Sequence, residues 1–190
     1  MRKLVDYMFT SLDGYIADSE GSLDWVPDDG ELTGFAIEYF GSCEGIVFGR
    51  KNYLAFAEYW DGMDRDDPAN PLHEVEFARV FERMARIVVT TTLNRVDDPR
   101  AILITDDVPA ALQDLKRQPG RDLLLIGGPD LRSTLTRAGL IDLHRLLVVP
   151  VVLGRGVPLF GDLDGQLRLR LLGTPRVFED RVVMLDYEPQ

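Results

Sequence analysis

One stretch of the chain decides the fold: Leu123-Leu124-Leu125-Ile126-Gly127-Gly128-Pro129-Asp130-Leu131. Its first four residues are apolar at every position, as a central strand of a parallel sheet must be. Two glycines follow this run, and a helix is predicted from Asp130 to Ala138. The stretch therefore predicts a buried strand, a turn of bare backbone and a helix.

The paired glycines admit two interpretations. At the carboxyl end of a strand and before a helix, Gly127 and Gly128 let a pyrophosphate lie against bare backbone. They also suit a tight turn that simply needs positive φ. The chain contains no G-x-G-x-x-G sequence, so it lacks the Rossmann fingerprint.

Apolar runs alternate with helix-period segments on both sides of this stretch. We predict strands at Leu4–Thr10, Gly45–Phe48, Arg86–Thr90, Ala101–Thr105, Asp122–Ile126, His144–Val151, Gln166–Phe178 and Arg181–Glu188. We predict helices at Glu31–Phe40, Lys51–Tyr59, Glu74–Met84, Val108–Gln118 and Asp130–Ala138, the fourth capped by Asp107. This alternation indicates a single α/β domain over residues 1–190, with a central mixed, mostly parallel sheet flanked by helices. The last two strands should form an antiparallel hairpin that turns at Glu179-Asp180.

The amino-acid composition limits which nucleic-acid, metal or membrane partners can be expected. The formal net charge is −11 and no basic cluster interrupts it, so we expect no nucleic-acid partner. The one cysteine, Cys43, and the widely separated His73 and His144 give no metal-site spacing. No apolar run is long enough for a membrane span, and Asp6 stands where an export signal would be apolar. We therefore expect a cytoplasmic protein without a metal.

A second strand-to-helix junction, Gly45-Ile46-Val47-Phe48-Gly49-Arg50-Lys51-Asn52-Tyr53, carries two cations where a helix opens. Gly49 lets a ligand approach the backbone, the free amides of the first turn attract phosphate, and Arg50 can add a bidentate ion pair. The alternative is an ordinary corner with solvent-exposed bases.

Two further segments contain polar side chains at strand ends. The strand Arg86–Thr90 ends in hydroxyls at Thr90, Thr91 and Thr92, which could bond a ribose or serve only the loop. After the first strand, Asp13 is either an acid for catalysis or a turn-former. Trp25 offers an aromatic wall or core packing.

These motifs occur in a recognisable order along the chain. They are Ser11-Leu12-Asp13-Gly14-Tyr15-Ile16-Ala17, Asp24-Trp25, Gly49-Arg50-Lys51-Asn52-Tyr53, Val88-Val89-Thr90-Thr91-Thr92-Leu93, Ile126-Gly127-Gly128, Ala138-Gly139-Leu140-Ile141-Asp142 and Val149–Phe160. Together they resemble the dihydrofolate reductase superfamily, and more closely its bacterial branch related to the reductase domain of riboflavin biosynthesis. The resemblance implies a dihydrofolate-reductase-like sheet with NADPH across the strand ends. It also implies hydride transfer to a small heterocycle, commonly in a homodimer.

The resemblance further implies roles for individual residues. Cofactor binding falls to Ile16, Ala17, Gly49, Arg50, Lys51, Asn52, Thr90, Thr91, Ile126, Gly127, Gly128 and Leu131, with a cis peptide at the paired glycines as one option. Trp25 would line the substrate side. Asp13 would lie there too, as the candidate for proton handling.

The sequence departs from the family pattern at four positions. Asn52 replaces a threonine, Thr91 an arginine and Pro129 a third glycine, while Asp130 stands where a phosphate-binding arginine can occur. NADH therefore stays open beside NADPH. The acid that faces the substrate ring has no single counterpart, and Asp28, Asp29 and Glu31 are the nearby candidates.

The function that follows is an NAD(P)H-dependent reductase of a pterin, pyrimidine or related ring, with the protein positioning the nicotinamide against the ring. A non-catalytic nucleotide-binding or ligand-binding protein on the same fold is the alternative. A plain interaction domain would require the glycine-rich strand ends to be coincidental.

Overall fold

The computed structural model describes residues 1–27, 30–179 and 181–190. In these residues the strands are β1 (Leu4–Ser11), β2 (Tyr15–Ala17), β3 (Gly45–Gly49), β4 (Ala85–Val89), β5 (Ala101–Ile104), β6 (Leu123–Ile126), β7 (Leu143–Val149), β8 (Val157–Pro158), β9 (Leu169–Val177) and β10 (Val183–Pro189). The helices are α1 (Gly30–Ser42), α2 (Arg50–Asp61), α3 (Leu72–Phe81), α4 (Val108–Arg117) and α5 (Pro129–Arg137). None of these helices combines the length and apolar character that crossing a membrane requires.

Eight strands form the central sheet in the order β5-β4-β3-β6-β1-β7-β10-β9. The first six strands in that order run parallel, and β10 and β9 join antiparallel at one edge. This arrangement confirms the predicted mixed, mostly parallel sheet with its C-terminal hairpin. Asp180, which belongs to the predicted turn at Glu179-Asp180, lies outside the described residues.

The sequence prediction missed one small element. β2 and β8 pair antiparallel as a separate two-stranded sheet. Each strand is only two or three residues long, so neither shows enough alternation to be read as a strand. The pair joins the segment after β1 to the segment after β7.

Helices cover both faces of the central sheet, as the strand–helix alternation predicts. On one face, α1, α2 and α3 pack on a core that includes Phe40, Phe48 and Phe81. On the other face, α4 and α5 pack on a second core that includes Leu112 and Leu135. Asp107 caps α4 as expected, since its side chain accepts a hydrogen bond from the Ala110 amide.

A buried arginine joins three segments beside the first of these cores. Arg86 in β4 is 1% exposed, and its terminal nitrogens each donate to Asp61 at 2.6 Å. Nη1 also lies 3.0 Å from Asp98 Oδ2. The hydrogen bond from Arg86 is the main reason that the pKa of the Asp61 carboxyl lies below its usual value. The cluster therefore ties the end of α2 and the loop before β5 to the sheet.

We expect Arg86→Met to lower the free energy of unfolding by about 3 kcal/mol, because it leaves carboxylates without their buried partner. Urea denaturation at neutral pH measures this loss. Since folding lowers the pKa of Asp61, its share is present above an unfolded pKa of about 3.9. That share is lost as the pH falls through the folded value, so the difference between wild type and variant should shrink in acid.

The control is Arg117→Met, which breaks an exposed pair with Asp114 whose side chains are 61% and 73% exposed. That change should cost less than about 0.5 kcal/mol. Equal losses in the two variants would contradict the assigned importance of the Arg86 cluster.

Candidate active site

Two neighbouring strands create a crevice at the carboxyl edge of the sheet. β3 and β6 run parallel with Phe48 opposite Ile126, so Gly49 and Gly127 leave the sheet at the same level. After Gly49 the chain continues through α2 and α3 to β4, which lies on one side of β3 and β6. After Gly127 it continues through α5, past β1, to β7 on the other side. Such a reversal of strand order is where open α/β sheets bind ligands.

Glycines precede both helices that border this crevice. Gly49 is the N-cap of α2 and Gly128 is the N-cap of α5, and no side chain described in the structure caps either helix. The first-turn amides of α2, those of α5 after Pro129 (which has no N–H), and the positive ends of the two helix dipoles are therefore available to an anion. Arg50 begins α2 as an exposed side chain, and Lys51 beside it is exposed as well.

The two glycines of the turn after β6 have different surroundings. A Cβ on Gly127 would stand 3.1 Å from Leu125 Cδ1 and 3.2 Å from Leu131 Cδ2, so a larger residue there would require these two leucine side chains to shift. A Cβ on Gly128 would meet no atom within 4 Å. Gly128 thus faces open space, although its φ of −69° suits any residue. The peptide bonds described here are all trans, so the expected cis peptide at the paired glycines is wrong.

One end of the crevice opens into a threonine-lined cleft of about 430 Å³. Its wall includes Arg50, Thr90, Thr91, Asp130 and Leu131. The cleft thus collects residues from the ends of β3 and β4 and from the start of α5, as the sequence predicts. Thr91 is exposed, whereas Thr90 is buried.

The hydroxyl of Thr90 also stabilises the loop that follows β4. Its Oγ1 accepts hydrogen bonds from the amides of Thr92 and Leu93, at 3.2 and 3.1 Å. Thr90 therefore shapes the loop, whereas Thr91 lies exposed at the cleft and its contact with a ribose stays a prediction.

A second cavity, also of about 430 Å³, lies on the face covered by α1, α2 and α3. Its wall is largely aromatic and aliphatic: Tyr7, Met8, Phe9, Leu23, Pro27, Leu32, Thr33, Ala36, Phe40, Phe56, Tyr59, Trp60, His73, Glu74, Phe77, Phe81 and Ile126. Ile126 lines this apolar cavity and is also the last residue of β6, so it lies at the edge of the crevice. Its carbonyl accepts a 3.4 Å hydrogen bond from Asn52 Nδ2. Asn52 thereby holds α2 to the end of β6.

Asp13 lies in the loop after β1 and joins that loop to the segment after β7. Its carboxylate accepts hydrogen bonds from Ser11 Oγ at 2.7 Å and from the amides of Leu153 and Gly154 at 3.1 and 2.7 Å. The bond from Ser11, followed by the two amide bonds, lowers the pKa of Asp13. Ile16 and Ala17 follow in β2, where Ile16 is buried against Leu146 and Leu159.

The residues predicted to line the substrate side lie in different environments. Trp25 packs against the α1–α3 core and donates from Nε1 to the Ser22 carbonyl at 3.3 Å, while Leu23 and Pro27 form the cavity wall. Glu31 pairs with Arg176 at 2.7 Å and accepts from the Glu179 amide, so its carboxylate serves the C-terminal hairpin. Asp28 and Asp29 lie outside the described residues.

The sequence reasoning missed a buried ionic cluster behind the glycine turn. Asp6, Arg132 and His144 are all fully buried. Arg132 Nε lies 3.0 Å from both oxygens of Asp6, and His144 Nδ1 lies 3.1 Å from Asp6 Oδ2. The remaining nitrogens of Arg132 donate to the carbonyls of Gly127 and Leu159, at 3.1 and 3.3 Å. The only sequence signal for this cluster is an aspartate inside the otherwise apolar start of β1.

Comparison with known proteins gives the same fold. Residues 2–183 match the model of the RibD C-terminal domain family. The uncharacterized protein YyaP of Bacillus subtilis (strain 168) is 32% identical over 186 residues, which cover 98% of this chain and 94% of that protein.

Two solved structures are also similar. The diaminohydroxyphosphoribosylaminopyrimidine deaminase/5-amino-6-(5-phosphoribosylamino)uracil reductase of Thermotoga maritima matches with a TM-score of 0.68 and 17% identity, covering 100% of this chain and 57% of that one. The dihydrofolate reductase of Enterococcus faecalis, solved in complex with NADP(H) and RAB-propyl, matches with a TM-score of 0.62 and 13% identity. That match covers 99% of this chain and 96% of the reductase.

These likenesses confirm the dihydrofolate-reductase-like fold that the ordered motifs predict. The family match extends from before β1 into β10, so it includes every segment that borders the crevice and the apolar cavity. The chain therefore belongs to the RibD C-terminal domain family.

Proposed function

We propose that this protein is an oxidoreductase that binds NADPH in the crevice and reduces a small heterocyclic substrate in the apolar cavity. One observation carries the proposal: the two uncapped helix N-termini at the β3–β6 crevice lie between a polar cleft and an apolar cavity. A dinucleotide needs an anion site between two different pockets, and this arrangement offers both. The family membership and the NADP(H) in the Enterococcus enzyme support the same assignment.

The residues present fit such a cofactor. The first-turn amides after Gly49 and Gly128 would hold the pyrophosphate, and Gly128 leaves the open space that a phosphate needs. The threonine cleft would take the adenosine end, beside Leu131. The nicotinamide end would point toward Ile16 and Ala17 and past Ile126. When bound, the reduced nicotinamide supplies the hydride.

The charges in the threonine cleft bear on the choice between NADPH and NADH. Arg50 can pair with a 2′-phosphate, whereas Asp130 in the same wall would repel it and could accept a hydrogen bond from a ribose hydroxyl. We propose NADPH as the preferred cofactor because Arg50 is exposed and held by no ion pair among the described residues. NADH binding would then be the weaker of the two.

For Asp13 we propose a positioning role. Its lowered pKa means that the carboxylate carries no proton near neutral pH, so it is poorly suited to donate one. Its bonds to the Leu153 and Gly154 amides instead fix the loop that leads into β2. In this proposal Asp13 holds Ile16 and Ala17 in place beside the nicotinamide.

The first prediction concerns Arg50→Ala. Calorimetric titration of the wild type should show NADPH binding, and the variant should bind NADPH at least about tenfold more weakly, since a charge-assisted hydrogen bond is lost. NADH binding should change less, because it has no 2′-phosphate. Arg117→Ala, on the exposed side of α4, is the control and should bind both cofactors as the wild type does. Unchanged NADPH affinity in Arg50→Ala would remove the proposed docking mode.

The second prediction concerns Gly128→Ala. The methyl group fits the folded chain because it meets no atom within 4 Å, so unfolding stability should drop by less than about 1 kcal/mol. The same methyl group would occupy the place of the phosphate, and we expect NADPH affinity to fall by about tenfold or more.

Gly165→Ala provides the matched control, since a Cβ there also meets open space, in the segment between β8 and β9. Equal NADPH affinity in the Gly128 and Gly165 variants would show that the cofactor does not use the α5 N-terminus. Tight NADPH binding without turnover of any pterin, pyrimidine or quinone would instead favour a non-catalytic binding protein.

A further inference from the structure

We propose that the apolar cavity takes a flat, uncharged ring and excludes substrates that carry a phosphate or carboxylate. This inference rests on the proposed function and adds the chemical class of its substrate. The cavity adjoins the crevice through Ile126 and the end of β1, which is the side proposed for the nicotinamide. Its volume of about 430 Å³ accommodates one small ring compound.

The cavity wall favours a planar ligand because its aromatic side chains support one another. Phe56 contacts Phe81 at a centroid distance of 4.6 Å and Phe48 at 4.8 Å. Trp60 lies 5.0 Å from Phe81 and 5.9 Å from Phe77. Side chains packed in this way keep their positions, and aromatic rings offer stacked or edge-on contacts to another ring.

The cavity wall provides no arginine or lysine among the residues that the structure describes. Its one carboxylate there is Glu74, which accepts a 2.8 Å hydrogen bond from Tyr59 Oη. His73 is the one histidine of the wall in the described chain.

Negative charge continues outside the cavity. Tyr59 and Glu74 also border a neighbouring groove of about 600 Å³, whose wall contains Glu58, Asp64 and Asp67. Behind the cavity, Arg145 lies over the Tyr39 ring at 4.2 Å, but Asp186 binds it through two hydrogen bonds of 2.8 and 2.6 Å. An anionic substrate would therefore lose its hydration shell without gaining an arginine or lysine to balance its charge, which is strongly unfavourable.

A neutral ring with a polar edge has a partner available. Tyr7 contributes to the wall, is 4% exposed, and its Oη makes no hydrogen bond within the described part of the chain. An unsatisfied buried hydroxyl is costly, so a ligand carbonyl that accepts from it would be stabilised. By contrast, the reductase named for the Thermotoga protein acts on a phosphoribosylamino-uracil, whose phosphate would find no arginine or lysine among the described residues of this wall.

The test uses two fluorescent probes with the same ring skeleton. N-phenyl-1-naphthylamine is neutral, and 8-anilino-1-naphthalenesulfonate carries one sulfonate. In fluorescence titrations of the full chain we expect the neutral probe to bind at least about tenfold more tightly, since a buried unpaired charge is penalised. Ala36→Trp should remove this binding by filling the cavity from α1. Leu171→Trp, on the exposed edge strand β9, should leave it unchanged.

A charge-reversing variant makes the test independent of cavity filling. Glu74→Lys should strengthen binding of the sulfonate probe by about fivefold or more and leave the neutral probe nearly unchanged. Equal affinity of the wild type for both probes, or no response of the sulfonate probe to Glu74→Lys, would overturn the inference. A parallel NADPH titration separates the two proposals: loss of NADPH binding with intact probe selectivity contradicts the reductase and leaves the ligand class of the cavity standing.

Discussion

The arrangement of the site depends on one buried ion pair, between Arg132 of α5 and Asp6 of β1. Removing both charges from water is expensive, and it is tolerated only when every polar group finds a partner. Arg132 meets that condition, because its nitrogens bond Asp6, the Gly127 carbonyl and the Leu159 carbonyl. A single guanidinium thereby fixes the glycine turn and the start of α5 against the central strand.

The same pair also reaches the nicotinamide side of the proposed site. The Leu159 amide donates to the Gly14 carbonyl at 2.9 Å, beside the loop that Asp13 holds to Leu153 and Gly154. The proposed phosphate side and the proposed nicotinamide side are therefore connected through Arg132, which binds Asp6 of β1. A cofactor that spans the crevice would meet two parts of the chain whose spacing is set by buried hydrogen bonds, which is the preorganisation that ligand binding benefits from.

Much of the fold could be predicted because its signals are local. The apolar run before Gly127, the two glycines and the alternation of strands and helices depend on residues close in sequence. Buried cavities and ion pairs depend on residues far apart. Asp6 and Arg132 are separated by 126 positions, and the aromatic wall comes from three helices and β1. Asp13 likewise carries no sign in the sequence that its oxygens accept hydrogen bonds from amides 140 and 141 positions away, so the sequence does not reveal that its pKa is lowered.

The distribution of charge suits the proposed division of the two pockets between a cofactor and a substrate. The exposed cation Arg50 and the helix N-termini lie at the crevice and its polar cleft, where a phosphate-bearing ligand can be held. The apolar cavity has aromatic walls and adjoins an acidic groove, so a second phosphate-bearing molecule is disfavoured there. In the proposed function, anion recognition and ring recognition would thus fall to two pockets of different chemistry, and Ile126 at the end of β6 lines the apolar one.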